Sequence, residues 1–308
     1  MNTLAVILEA PEKLGLRSIA LNPLGDSDVQ VAIEWSGIST GTEKLLWTGR
    51  MPSFPGMGYP LVPGYESIGR VVDAGIHARA RIGDWVFVPG ANCYRDARGL
   101  FGGTARIVNL PAARAIPVDE GLGRDGILMA LAATACHAFV GGAAPDLVIG
   151  HGILGRLITR IAIASGAPAP TVWETNPDRR DGLGYDAVDP EADTRRDYRT
   201  IYDASGAPDI LDTAVGRVTK GGEVVLAGFY DRLSFAFPPA FMREARFRIS
   251  AEFTPDDIAS VQALIAGGTL RLDGLISHER DAGEAEDAYP AAFGDPDCLK
   301  MVLDWRHQ

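Results

Sequence analysis

Over residues 1–120 apolar side chains recur in short alternating or β-branched runs. They fall at residues 4–8, 29–35, 67–72, 85–89 and 105–110, separated by clusters of Gly, Pro, Asn and Asp. That spacing predicts a small barrel or sandwich-like domain. Residues 47–63 break the rhythm, with Pro52, Pro55, Pro60 and Pro63 interleaved with Gly49, Gly56 and Gly58. A loop of that length inside a compact domain is either a substrate lid or a surface loop that buries its own aromatics. From about residue 122 the pattern changes to strand–helix alternation. Strands are predicted at 146–149, 171–173, 200–202 and 223–226. After the first of these, Leu154, Leu157, Ile158, Ile161 and Ala162 share one helical face, with Arg156 and Arg160 off it. Thr254-Pro255-Asp256-Asp257 starts another helix, which Gly267-Gly268 ends. The whole reads as α/β: a β-rich domain from 1–121 and 269–308, and a parallel βαβ domain over 122–268.

The chain's 308 residues suit two cores better than one. With 46% hydrophobic and 22% charged residues, the composition is ordinary globular. A net charge of −11 repels phosphate backbones and anionic lipid, which argues against nucleic acid or a membrane surface as partner. Cys93, Cys136 and Cys298 are odd in number and lack C-x-x-C spacing, so neither a disulfide framework nor a zinc ribbon is expected. The start of the chain has no signal-peptide pattern. The most apolar stretch, 127–140, is broken by Thr134 and His137 and falls short of a membrane span. A soluble, cytoplasmic protein is expected.

The strongest local signal is Gly150-His151-Gly152-Ile153-Leu154-Gly155, because a strand precedes it and an amphipathic helix follows. Such a turn lets pyrophosphate approach the backbone at the positive end of a helix. Glu174 closes the next strand, where a carboxylate accepts bonds from a ribose 2′-hydroxyl and repels a 2′-phosphate. NAD is therefore expected over NADP, although Arg179 and Arg180 follow and could meet a 2′-phosphate.

Further segments carry a resemblance. Ser36-Gly37-Ile38-Ser39-Thr40-Gly41-Thr42-Glu43, Gly64-Tyr65-Glu66, Gly83-Asp84-Trp85-Val86, Leu131-Ala132-Ala133-Thr134-Ala135, Asp203-Ala204-Ser205-Gly206 and Gly221-Gly222-Glu223 resemble segments of the medium-chain dehydrogenase/reductase superfamily. The resemblance runs over nearly the whole chain. It implies a GroES-like N-terminal domain beside a Rossmann domain, Thr134 facing the nicotinamide, and a dimer or tetramer. It also implies a cofactor lining of Thr175 and Asn176 after Glu174, Ala204 and Ser205, and Gly228 and Phe229, besides the glycine turn. Where zinc-dependent members carry metal ligands, this chain has Ser39, Tyr65 and Ala130, so no metal is expected.

Longer runs, including Leu45-Leu46-Trp47-Thr48-Gly49-Arg50-Met51-Pro52 and Phe235-Ala236-Phe237-Pro238-Pro239, resemble the bacteriochlorophyll-biosynthesis branch of that superfamily. This implies NAD-dependent oxidation of the 3-(1-hydroxyethyl) group of a bacteriochlorophyllide to 3-acetyl. The expected machinery is Ser39 and Tyr65 on the substrate oxygen, with Thr42, Glu66 or His137 relaying the proton. His137 also reads as a core histidine, and Glu66 as an acceptor of backbone N–H groups. A flat chlorin needs a wide apolar slot, for which Trp47, Phe54, Met57, Tyr59, Phe101 and Phe237 are candidates, with Arg50 or Arg243 for its propionate. Two other readings stand: an NADPH-dependent quinone or enoyl reductase, and a dinucleotide-binding protein without turnover.

Overall fold

A computed structural model describes residues 1–181 and 184–308. It divides the chain into two compact units, Met1–Ala130 with Leu272–Gln308, and Leu131–Arg271.

In the first unit, the alternation that marks residues 29–35 builds the strand Asp28–Ile38, which pairs with Ser67–Ala74, Ile107–Pro111 and Met301–Asp304. Val29, Val31 and Ile33 face a core shared with Val71, Val86 and Val88, while the side chains between them turn away. A second sheet joins Asn2–Ala10 to Lys13–Ala20 and Leu61–Val62. The return segment, Leu272–Gln308, supplies the helix Ala285–Gly294, which continues through Pro290, and the strand Met301–Asp304. The segment Glu120–Leu128, kinked at Gly123, packs on Asp28–Ile38 and Ser67–Ala74. It therefore stays with the β-rich unit, although the strand–helix pattern of the sequence begins there.

Among its described residues the second unit has a six-stranded parallel sheet. From one edge to the other its strands are Ala187–Val188, Thr171–Trp173, Leu147–Ile149, Tyr198–Asp203, Val218–Leu226 and Arg246–Ile249. This order runs outward both ways from the first strand, so a crevice opens at the strand ends where the winding reverses. Leu157, Ile158, Ile161 and Ala162 of the helix Ile153–Ala164 are buried as expected. Arg156 and Arg160 lie off that face as expected, yet both are buried too. Arg156 reaches the carbonyls of His151 and Arg179 and the Asp181 carboxylate, and Arg160 reaches the carbonyl of Arg271. Backbone acceptors thus hold buried guanidinium groups on the side of the helix away from its apolar face.

Candidate active site

Ser39 ends the run that leaves the strand Asp28–Ile38, and the six-residue helix Thr42–Trp47 follows it. Tyr65 enters from the turn before Ser67–Ala74. That turn depends on Gly64, at φ +96°, where a Cβ would lie 2.0 Å from Thr104 Oγ1. These two approaches bring Ser39 Oγ and Tyr65 OH to 2.7 Å, with Thr42 Oγ1 at 3.4 Å from the same phenol. Ser39 is buried and Tyr65 half-buried, its ring edge-on to Phe101 at 5.2 Å. Burial, reinforced by the Glu66 charge, pushes the phenol well above its ordinary range, so Tyr65 keeps its proton.

Behind this hydroxyl pair lies a buried set of ionisable groups. Glu66 is fully buried and ion-paired with Lys300, whose ammonium also donates to the Ile38 carbonyl at 3.0 Å. The reading of Glu66 as an acceptor of backbone N–H groups is thereby corrected, since its partner is a cation. Glu43, equally buried, accepts from the Ser39 N–H at 3.1 Å and from Tyr289 OH at 2.7 Å. Burial lifts Glu43 to about 7, with the Glu66 charge adding to the rise. Sequence reasoning missed Glu43, Tyr289 and Lys300. The available signals were an acid one turn before the buried Leu46, and a lysine inside the apolar run Leu299–Leu303.

A zinc ion does not fit here. Two neutral hydroxyls bonded to each other offer no thiolate, imidazole or carboxylate set. Among the described residues, no group of three or more His, Cys, Asp or Glu side chains could hold a metal.

The aromatic loop divides. Trp47 closes the helix Thr42–Trp47 and lies 6.3 Å from Phe293, centroid to centroid. Trp47, Met57 and Tyr59 pack around Leu8, Leu46 and Leu61, and Tyr59 OH donates to the Leu46 carbonyl. Phe54 and Arg50 are exposed. Phe237 belongs to the second unit, on the exposed face of the helix Phe237–Arg243 beside Phe241. Arg243 is committed to the carbonyls of Val218 and Gly216.

In the second unit the strand Leu147–Ile149 runs through the glycine turn into the helix Ile153–Ala164, whose N-cap, Gly152, provides no side-chain cap. A Cβ on Gly152 meets nothing within 4 Å, so the helix N-terminus faces open space. A Cβ on Gly155 would lie 1.9 Å from the Gly150 carbonyl oxygen, so only glycine allows helix and strand to approach this closely. Free N–H groups at an open helix start fit a dinucleotide pyrophosphate. Ile153 and Leu154 are half-buried in the first turn. The His151 side chain points elsewhere: it is buried, bonded to the Arg179 carbonyl and to Tyr185 OH, while its backbone N–H meets Glu174. Glu174 also accepts the Asn176 N–H at 2.8 Å. Ser205 bonds Asp203, the Ala204 N–H meets the Ile149 carbonyl, and the Gly228 N–H meets that of Asp203. Phe229 is exposed, and Thr134 is half-buried on the helix Met129–His137. At the end of that helix His137 Nδ1 lies 2.8 Å from Asp257, which also closes the capping box at Thr254.

A β-rich unit followed by a doubly wound parallel sheet defines a dinucleotide-binding dehydrogenase. Residues 25–120 match the alcohol dehydrogenase GroES-like domain. The crystal structure of an Escherichia coli alcohol dehydrogenase complexed with NADH superposes with a TM-score of 0.84 at 20% identity, covering 98% of this chain and 99% of that one. Two curated relatives, from Rhodobacter capsulatus and Cereibacter sphaeroides, are each 56% identical over 99% of both chains. Both are 2-desacetyl-2-hydroxyethyl bacteriochlorophyllide A dehydrogenases, and the chain belongs to that family.

Proposed function

We propose that this dehydrogenase oxidises the 3-(1-hydroxyethyl) group of a bacteriochlorophyllide to 3-acetyl, using NAD and no metal. The observation that carries the reading is the Ser39–Tyr65 hydroxyl pair at 2.7 Å, at positions that the family resemblance equates with the metal ligands of zinc-dependent members. Bound at the glycine turn, NAD supplies the hydride acceptor. The protein's task is to hold the alcohol oxygen and stabilise it as its proton leaves. Tyr65 keeps its phenolic proton, and either hydroxyl of the pair can donate to the other; with Tyr65 donating, the serine hydroxyl proton is left to meet the substrate oxygen. The alcohol proton itself passes to solvent water, for which the half-buried Thr42 is the next hydroxyl in line. An alcohol carbon attached to a conjugated macrocycle spreads the positive charge that develops as hydride departs, which lowers the demand on those donors. Phe101, edge-on to Tyr65, offers the ring an apolar neighbour, and the Arg50 guanidinium suits the propionate.

Support for NAD comes from the second unit. Glu174 stands at the end of its strand, held by the His151 and Asn176 N–H groups. The Arg180 guanidinium is occupied by the carbonyls of Glu174 and Thr175 and by Asp189.

The test mixes purified protein, NAD and a hydroxyethyl chlorin and follows the long-wavelength band, which a carbonyl conjugated to the ring should shift. Removing both hydroxyls, Ser39→Ala with Tyr65→Phe, should lower turnover by more than about tenfold. Turnover at the wild-type rate in that double variant would overturn the assignment.

A further inference from the structure

We propose that Glu43 is a positioning residue for the reaction, a buried clamp that fixes the Ser39 backbone and so keeps its hydroxyl facing Tyr65. The inference rests on the reading of Ser39 and Tyr65 given above.

The geometry is reciprocal. Glu43 N–H donates to the Ser39 carbonyl at 3.1 Å, and Glu43 Oε1 accepts the Ser39 N–H at the same distance. Both polar groups of the Ser39 backbone are thus tied to one residue, and the serine side chain is left to Tyr65. A surface capping contact of this type would be loose. This one is not, because Glu43 is fully buried and Tyr289 OH holds its second oxygen at 2.7 Å. Tyr289 comes from the helix Ala285–Gly294, so the clamp joins the return segment to the turn that presents Ser39. Four groups face the carboxylate: the Ser39 N–H and Tyr289 OH stabilise its charge, Lys300 favours it more weakly, and Glu66 opposes it.

Burial outweighs these partners and places Glu43 at about 7, so its charge changes near neutral pH. Above that value the carboxylate accepts two bonds at full strength. Below it the protonated acid grips the Ser39 N–H more weakly. The clamp should therefore impose an acid limb on kcat.

Two measurements decide the matter. Exchange of the Ser39 amide proton, followed by NMR, reports the clamp directly and without substrate. It should quicken about tenfold or more in Glu43→Ala and much less in Glu43→Gln, which keeps an acceptor. In turnover of the hydroxyethyl chlorin with NAD, Glu43→Ala should lose about tenfold or more in kcat with KM within about threefold. Glu43→Gln should recover most of that kcat and lose the limb near pH 7. An unchanged Ser39 exchange rate in both variants overturns the clamp, as does a Glu43→Gln profile that keeps the wild-type limb. If Glu43→Ala fails to fold, the glutamine variant decides alone through its pH profile and the exchange rate. Should the wild type not turn over the chlorin, the proposed reaction falls, and the exchange experiment still judges whether Glu43 holds Ser39.

Discussion

Individual side chains decide this protein where the backbone leaves no latitude. At Gly155 an added methyl meets the Gly150 carbonyl oxygen at 1.9 Å, and neither helix nor strand can yield without losing the turn. Gly155→Ala should cost about 1–3 kcal/mol of stability and weaken NADH binding about tenfold or more, read by thermal melting and a fluorescence titration. Gly216 gives the contrast. It sits inside the helix Ile210–Arg217, and a methyl added there would meet nothing within 4 Å, so Gly216→Ala should stabilise by about 0.5–1 kcal/mol and leave NADH binding unchanged. Equal effects at the two sites would show that the close approach at Gly155 is not what holds the turn. The glycine turn was legible because its chemistry is local and its residues are consecutive. Ser39 and Tyr65 were legible only through the segments that resemble a known family, since serine and tyrosine carry no signature of their own. Glu43 was not legible, because its partner Tyr289 lies 246 positions away and only folding brings them together.

At the scale of elements, alternation revealed the strands that bury one face and missed those that do not. The strand Lys13–Ala20 exposes Lys13, Arg17 and Ser18, and Arg246–Ile249 ends on an isoleucine that is 79% exposed, so neither reads as a half-buried strand. The helix Ala285–Gly294 is masked by Pro290, which reads as a breaker; it stands in the second turn and leaves the Glu286 carbonyl without its usual helical N–H, yet the helix continues through it. On the proposed reading, cofactor choice rests on one element, the strand Thr171–Trp173 and the turn after it. There Glu174 accepts two backbone N–H groups through separate oxygens, which fixes its carboxylate beside the glycine turn. Removing its charge while keeping an acceptor should relax selection against a 2′-phosphate. Glu174→Gln should shift the NADPH-to-NADH affinity ratio about tenfold toward NADPH in parallel titrations. An unchanged ratio would place the discrimination elsewhere on the crevice.

For the whole molecule, the buried acid of the first unit sets function against stability. Glu43 has an ordinary value of 4.5 and lies at about 7 in the folded chain, so the native state holds its proton over a range where the unfolded chain has released it. Its contribution to stability is therefore present in full below pH 4.5 and is lost as pH rises toward 7. Across that window the loss amounts to about 3 kcal/mol, a large share of what a domain of ordinary stability has in reserve. Glu66 is displaced in the same direction by burial, with Lys300 pulling it back. Carboxylates held low by partners, such as Asp181 beside Arg156 and Asp304 beside Arg306, contribute the opposite slope in acid. A comparison of two proteins that differ only at Glu43 cancels the slopes of groups it does not touch, such as Asp181 and Asp304, and leaves that of Glu43 with its Glu66 coupling. Glu43→Gln should therefore match the wild type closely near pH 5 and exceed it by up to about 3 kcal/mol at pH 8, measured by denaturant unfolding at each pH. A difference that stays constant between those two values would mean that Glu43 does not titrate there, and the acid limb expected of its clamp on Ser39 would lose its physical cause. A difference that grows with pH means that the chain keeps a costly buried charge at the pH where that charge holds the serine in place, the trade expected of a residue retained for activity rather than for the fold.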